Sequence, residues 1–203
     1  MMTLLVTGFD PFAGAAINAS WEAVQRLAGL TVAGHAVVVE QIPTVFGKAI
    51  PAMTAAIAHH QPLVILAVGQ AVGRAAISVE RVAINLDDAR IPDNHGNQPQ
   101  ETPVVLEGPT AYFSTLPVKP IVRRLGEAGI PAEVSQTAGT FVCNHLFYGL
   151  MHHLAGREKL LAGFIHIPAL PEQVLHRPEK PSMALEQVVT GLALALEITL
   201  LEP

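Results

Sequence analysis

A chain of 203 residues suits one α/β domain and leaves little room for two. Apolar residues make up 50% and charged residues only 14%, against about 25% charged in ordinary soluble domains, which excludes intrinsic disorder. A net charge of −5, from 12 basic and 17 acidic side chains, excludes the basic face of a nucleic-acid binder. The single cysteine, Cys143, excludes an intrachain disulfide scaffold.

Taken in chain order, short apolar runs alternate with helix-like segments, the pattern of a sheet covered by helices. Thr3–Gly8 reads as a buried strand with no basic region before it, so no secretory leader is expected. A Pro/Gly loop and a helix around Ser20–Leu27 follow, then a strand at Ala36–Gln41. The next helix ends near His59-His60 and contains Pro51, so it starts late or kinks there. Leu63–Gly69 is a buried strand, and Ala76–Asn85 reads as a further extended run. Asp87–Pro103 is a long polar loop, longer than the ~12–15 residues beyond which loops are uncommon. It is either pinned over a site or a mobile surface excursion. Lys119–Ala128 reads as a helix, Ala132–Gln136 as a strand and Phe141–Leu154 as a helix. Gly163–Ile167 and Met183–Leu201 supply the last strand and helix. No repeat or linker divides the chain, so residues 1–203 are expected to form a single catalytic domain.

A mean hydropathy of +0.40 raises the question of a membrane. A spanning helix needs about 20 predominantly apolar residues, and Glu186, Gln187, Thr190 and Glu197 interrupt the nearest candidate. The expectation is therefore a cytoplasmic, soluble chain whose low charge reflects a buried sheet and a subunit interface.

Cys143 falls in the first turn of the helix that follows Ala132–Gln136. Unpaired N–H groups and the positive dipole end there favour a thiolate and suit an oxyanion. Leu146, Phe147 and Leu150 follow at helical spacing, so the thiol equally reads as a small core residue. A partner base decides between these readings. Most of the nine histidines lack a catalytic context: His59-His60 and His152-His153 are adjacent pairs near helix ends. No His-Glu-x-x-His or Cys/His cluster occurs, so no metal site is expected. His166 ends an apolar strand just before Pro168, where it suits a general base for Cys143 or a hydrogen-bonded core position. Glu80 lies in an apolar run, Ile77–Ile84, on one face with Ser78, Val82 and Ile84. A carboxylate buried there needs a partner: Arg74 or Arg81 in a structural ion pair, or His166 in a catalytic one.

Two long stretches carry a resemblance. Gly69-Gln70-Ala71-Val72-Gly73-Arg74, running on through Ile77–Asn85, resembles the glutamate signature of the pyroglutamyl peptidase I (pyrrolidone carboxyl peptidase) family. Ala138-Gly139-Thr140-Phe141-Val142-Cys143-Asn144 is similar to its cysteine signature. Thr7–Phe12 with Asn18, Asp88–Asn94 and Phe164–Pro168 agree in order and spacing. Ala13 and Ala19 stand where that family more often has glycine and proline. The resemblance implies an open twisted sheet flanked by helices, of the phosphorylase/hydrolase type. It also implies no cofactor, a homo-oligomer (tetramer or dimer), and removal of N-terminal pyroglutamate from peptides by a cysteine mechanism through a thioester. It implies Cys143 as nucleophile, His166 as general base and acid, Glu80 as the group orienting His166, and Arg90 near the oxyanion. The lactam pocket would draw on Phe9, Phe12, Thr44, Gln70, Ile91, Phe141 and Val142. Thr44 also reads as a plain helix N-cap. Pyroglutamate carries no charged amine, which fits matched pocket positions without an acidic residue. Two other readings stay open: a nucleoside phosphorylase-like enzyme using Arg74 and Arg90 for an anion, and a binding module whose thiol is packing.

Overall fold

Strand residues of this chain are buried on both faces, and alternate positions feed two different cores. Leu4, Val6, Val64, Leu66, Val68, Ile165 and Ile167 contribute to one core, while Leu5, Ile65, Ala67, Ala162 and Phe164 contribute to the other. Apolar surface on both sides of a sheet demands a helical layer on each. The computed structural model describes residues 2–157 and 160–202. Met1 and Pro203, the ends of the expected 1–203 domain, lie outside the described residues.

The strands are β1 (Thr3–Phe9), β2 (Thr31–Val32), β3 (His35–Ile42), β4 (Val64–Gln70), β5 (Ile77–Glu80), β6 (Val82–Ile84), β7 (Ala111–Phe113), β8 (Ala132–Ser135) and β9 (Leu161–Ile167). The helices are α1 (Ala19–Val24), α2 (Ala49–His60), α3 (Val118–Glu127), α4 (Val142–Leu154) and α5 (Leu185–Leu201). Seven strands form one sheet in the order β2-β3-β1-β4-β9-β5-β8, and β6 pairs with β7 separately. The sheet is mostly parallel: only β2–β3 and β9–β5 run antiparallel. Residues of α1, α3 and α5 pack in the first core, and those of α2 and α4 in the second. This is the open twisted α/β sheet expected from the sequence.

Local chemistry explains the boundaries. Asn18 caps α1 by accepting the N–H of Ser20, and the segment expected as one helix to Leu27 tightens into a 3₁₀ turn at Gln25–Leu27. Gly8 lets α1 approach β1, since a Cβ there would lie 2.8 Å from the Ser20 main chain. Pro51 falls in the first turn of α2, where no intrahelical N–H is lost, so the helix starts late and needs no kink. Among the described residues, no helix is long and apolar enough to cross a membrane.

Two expectations need correction. The run Ala76–Asn85 is not one strand: it breaks at Arg81, whose N–H donates to Ser135 and whose carbonyl accepts from Ser114. Val82 and Ile84 therefore leave the main sheet and do not share a sheet face with Glu80. Thr44 is not the N-cap of α2, which is Lys48. Instead its N–H donates to Asp10 Oδ1 at 2.6 Å and its hydroxyl donates to the Asp10 carbonyl at 3.1 Å.

The loop from Asp87 to Pro103 is pinned. Asp87 and Thr102 exchange main-chain hydrogen bonds, and the Asp88 N–H donates to the Thr140 carbonyl. The Thr140 hydroxyl returns a bond to the Asp88 carbonyl at 2.8 Å. Inside the loop, Asp93 accepts from the N–H groups of His95, Asn97 and Phe46. Burial works against that charge, but these bonds and the Asn97 amide hold its carboxyl below the usual range.

Candidate active site

The antiparallel register of β5 and β9 brings Ser78, Glu80 and His166 onto one buried face beside Phe164. Ser78 lies opposite His166 and Glu80 opposite Phe164, so Glu80 and His166 are diagonal neighbours on one face, within reach of long side chains. His166 Nδ1 lies 2.7 Å from Glu80 Oε1, with both side chains almost wholly buried. Because the carboxylate oxygen accepts, the proton of a neutral His166 sits on Nδ1, leaving Nε2 as an acceptor. The same Oε1 accepts from Arg74 Nη1 at 2.6 Å, and Arg74 also donates to the Thr137 carbonyl at 3.0 Å. The sequence left Arg74, Arg81 and His166 as alternative partners of Glu80; the fold gives it both Arg74 and His166.

The thiol arrives from the opposite layer. Phe141 precedes α4 in extended conformation, which places Cys143 in the first turn, over β4. Gly69 is paired with His166 across β4–β9, and a Cβ on Gly69 would lie 3.0 Å from Cys143 Sγ and 2.8 Å from the Phe164 ring. The missing side chain at Gly69 is thus the space that the sulfur occupies beside His166. Burial pushes the thiol up to about 12, with the Glu80 carboxylate adding to the rise and Arg74 opposing it. Burial also pushes His166 down, against the hydrogen bond and charge of Glu80 and together with Arg74. The resting pair is therefore thiol and neutral imidazole. Burial of the half-buried thiol thus opposes the pull of the helix N-terminus toward a thiolate.

Cys143 and His166 open into a pocket of about 150 Å³ lined also by Phe9, Phe12, Asn18, Thr44, Gln70, Ala138 and Phe141. Its volume is well below the ~300–1,000 Å³ of sites for drug-sized ligands, so it admits one small ring. No lining side chain is acidic. The Phe12 and Phe141 rings lie 6.1 Å apart, and Phe9 sits 6.3 Å from Phe164. The Gln70 side chain is committed elsewhere: its Oε1 accepts from the Ala19 N–H at 2.8 Å and from Gln173 Nε2 at 3.1 Å. Of the residues expected at the site, Phe9, Phe12, Thr44, Gln70, Phe141, Cys143 and His166 line this pocket, with Glu80 directly behind His166. Val142 is fully buried in the core beside it and does not line it. Arg90 and Ile91 are exposed on the Asp87–Pro103 loop and also lie outside the lining.

The family model for pyroglutamyl peptidase matches residues 2–202. This chain belongs to the pyroglutamyl peptidase family. It is accordingly an enzyme, a cysteine peptidase. Pyrrolidone-carboxylate peptidase of Brevibacillus brevis is 57% identical over 201 residues, covering 98% of this chain and 94% of that protein. The protein of the same name from Bacillus cereus is 56% identical over 201 residues, with the same coverage. Among solved structures, pyroglutamyl peptidase I of Bacillus amyloliquefaciens superposes with a TM-score of 0.95 at 50% identity, covering 98% of this chain and 97% of that one. A variant of pyrrolidone carboxyl peptidase from Pyrococcus furiosus gives a TM-score of 0.95 at 41% identity, covering 99% of each chain.

Both departures from the family pattern have a local structural consequence. Ala13 takes a φ of 52°, in the left-handed region where glycine is at ease. Ala19 retains the N–H that a proline would lack and gives it to Gln70. The expected site residues omitted three contributors: Gly69 under the sulfur, and Asn18 and Ala138 in the pocket lining. A lone glycine in a buried apolar strand signals a close approach, and Gly69 carried that signal. Among the described residues, no group of three His, Cys, Asp or Glu side chains is placed to hold a metal ion.

Proposed function

We propose that this enzyme removes N-terminal pyroglutamate from peptides through a Cys143-His166-Glu80 triad and a thioester intermediate. The carrying observation is the placement of Cys143 Sγ against Gly69, beside a Glu80-bound His166, at the inner end of a small pocket without an acidic side chain. A free N-terminal amine would call for an anion there; the uncharged lactam of pyroglutamate does not. The apolar walls suit its flat ring, and main-chain groups at Gln70 supply polar partners for its amide.

In the first step His166 Nε2 takes the Cys143 proton and the thiolate attacks the carbonyl that joins pyroglutamate to the next residue. Glu80 holds the Nδ1 proton and stabilises the imidazolium. Free N–H groups of the first turn of α4 stabilise the oxyanion, with Arg90 of the nearby loop as a further candidate. The tetrahedral intermediate expels the leaving amine, which receives the proton from His166. His166 then deprotonates water, which attacks the thioester and releases 5-oxoproline with the thiol regenerated. The mechanism draws on no cofactor.

The binding of Arg74 to Glu80 and the Thr137 carbonyl counts against a phosphorylase-like role for it as an anion anchor. Exposed Phe113 and Leu175, 71% and 72% accessible, support assembly of the chain into a homo-oligomer, tetramer or dimer. The lone thiol chemistry suits the reducing cytoplasm. Hydrolysis of a pyroglutamyl arylamide by the wild type and by Cys143→Ser tests the function: release of the arylamine by the first and none by a folded second is expected. Equal turnover by both refutes the proposed nucleophile.

A further inference from the structure

A second buried histidine–carboxylate pair has its histidine two residues along α4 from the thiol, and the mechanism above does not use it. His145 Nδ1 and Asp87 Oδ2 are 2.8 Å apart, and their side chains are 7% and 8% exposed. The other ring nitrogen, Nε2, accepts the Gly47 N–H at 3.2 Å. The amide hydrogen aimed at Nε2 makes that nitrogen the acceptor, and Nδ1 is the ring nitrogen that donates to Asp87. His145 does not line the pocket, so it is placed to support rather than to react.

What it supports is the aromatic wall. The Phe46 ring stands edge-on to His145 with centroids 5.3 Å apart and edge-on to Phe141 with centroids 5.4 Å apart. Phe46 is thus clamped between His145 and the pocket phenylalanine. Its main chain is held too, because the Phe46 N–H donates to Asp93 and the next N–H, of Gly47, to His145. The main-chain N–H of His145 donates to the Phe141 carbonyl at 3.1 Å, the first helical bond of α4, so the residue that carries the imidazole is bonded to the same wall. Asp87 is the first residue of the long loop and is locked to Thr102. One imidazole therefore joins the Asp87–Pro103 loop, the turn carrying Thr44 and Phe46, and the Phe141 side of the pocket.

We propose that Asp87 and His145 form a positioning pair that sets the shape of the lactam pocket, and hence affinity for the pyroglutamyl ring, without taking part in bond making. The proposal rests on the pyroglutamyl peptidase reading. His145→Ala removes both ring hydrogen bonds and the support of Phe46, whereas His145→Gln can still accept from Gly47 and donate to Asp87. Three quantities are measured on each: kcat and KM for a pyroglutamyl arylamide, the Ki of 2-pyrrolidone as a ring-only probe, and the rate of Cys143 alkylation by iodoacetamide. For His145→Ala, KM and Ki are expected to rise together by about tenfold, the scale of one or two buried hydrogen bonds. Its kcat and alkylation rate stay near wild type, and His145→Gln recovers most of the lost affinity. Should His145→Ala fail to fold, Phe46→Leu supplies the same reading through the clamped ring, with Ki again rising. A fall in kcat or alkylation at unchanged Ki, or an unchanged Ki in folded His145→Ala or Phe46→Leu, overturns the proposal. Failure of the underlying function reading is separately visible, because wild type would then not cleave the arylamide at all.

Discussion

Replacing Glu80 by glutamine keeps the shape of a fully buried side chain and removes its charge. In the native protein Oε1 serves His166 and Arg74 at 2.7 and 2.6 Å. Hydrogen bonds to a charged partner contribute about 1.5–3 kcal/mol each. In the proposed reaction only the His166 bond strengthens as the imidazole gains its proton, so about 1.5–3 kcal/mol of transition-state stabilisation is lost. At 1.36 kcal/mol per decade this lowers kcat/KM by roughly 10- to 150-fold. Arg74 keeps its bond to the Thr137 carbonyl, so the fold survives. The pH profile has a definite sign. Glu80 raises the proton affinity of His166 against burial and Arg74; without it the imidazole is harder to protonate, and the acid limb of kcat/KM moves to lower pH. Steady-state rates with a pyroglutamyl arylamide across the acid range, beside a circular dichroism spectrum, provide the assay. An unchanged kcat/KM, or an acid limb displaced upward, refutes the assignment of Glu80.

Arg74→Met acts with the opposite sign, since Arg74 holds His166 down: the acid limb moves to higher pH, and a downward or absent shift counts against the coupling. Gly69→Ala drives a methyl into the Phe164 ring and Cys143 Sγ, at a cost of about 1–3 kcal/mol for overpacking. The expected result is a lower urea midpoint and a large loss of turnover; wild-type activity contradicts the packing of the thiol against β4. Ala13→Gly should raise stability by roughly 0.5 kcal/mol, as relief of a left-handed penalty of ~1–2 kcal/mol outweighs ~0.4–1 kcal/mol of added unfolded-chain entropy. Destabilisation in urea melts would show that the φ of 52° carries no strain.

The buried strands were legible because each one presents an unbroken apolar run bounded by turn residues, and β4 and β9 follow those runs to within a residue or two. The break at Arg81 was not legible, because the apolar pattern continues across it and only tertiary bonds to Ser135 and Ser114 divide it. β2 and β7 span two and three residues, too few for a period to register. At the site, residue types and order marked Cys143, His166 and Glu80, but their meeting depends on the antiparallel register of β5 against β9, which no local pattern encodes. The same holds for His145. Its place on a helix buried nearly all round was visible in the neighbouring Leu146, Phe147 and Leu150, whereas its partners Asp87 and Gly47 come from 58 and 98 residues away. The half-burial of the thiol, which opposes the pull of the helix N-terminus, likewise emerges only from packing.

Cys143 is the sole cysteine in the chain, so partial alkylation creates one defined lesion whose extent can be read by mass. Titration of the protein with iodoacetamide, with modified fraction and pyroglutamyl arylamide turnover measured on the same samples, tests the central claim most directly. Activity should fall in proportion to modification and reach zero when Cys143 is fully alkylated. Turnover that persists in the fully alkylated protein would contradict a thioester mechanism at this residue.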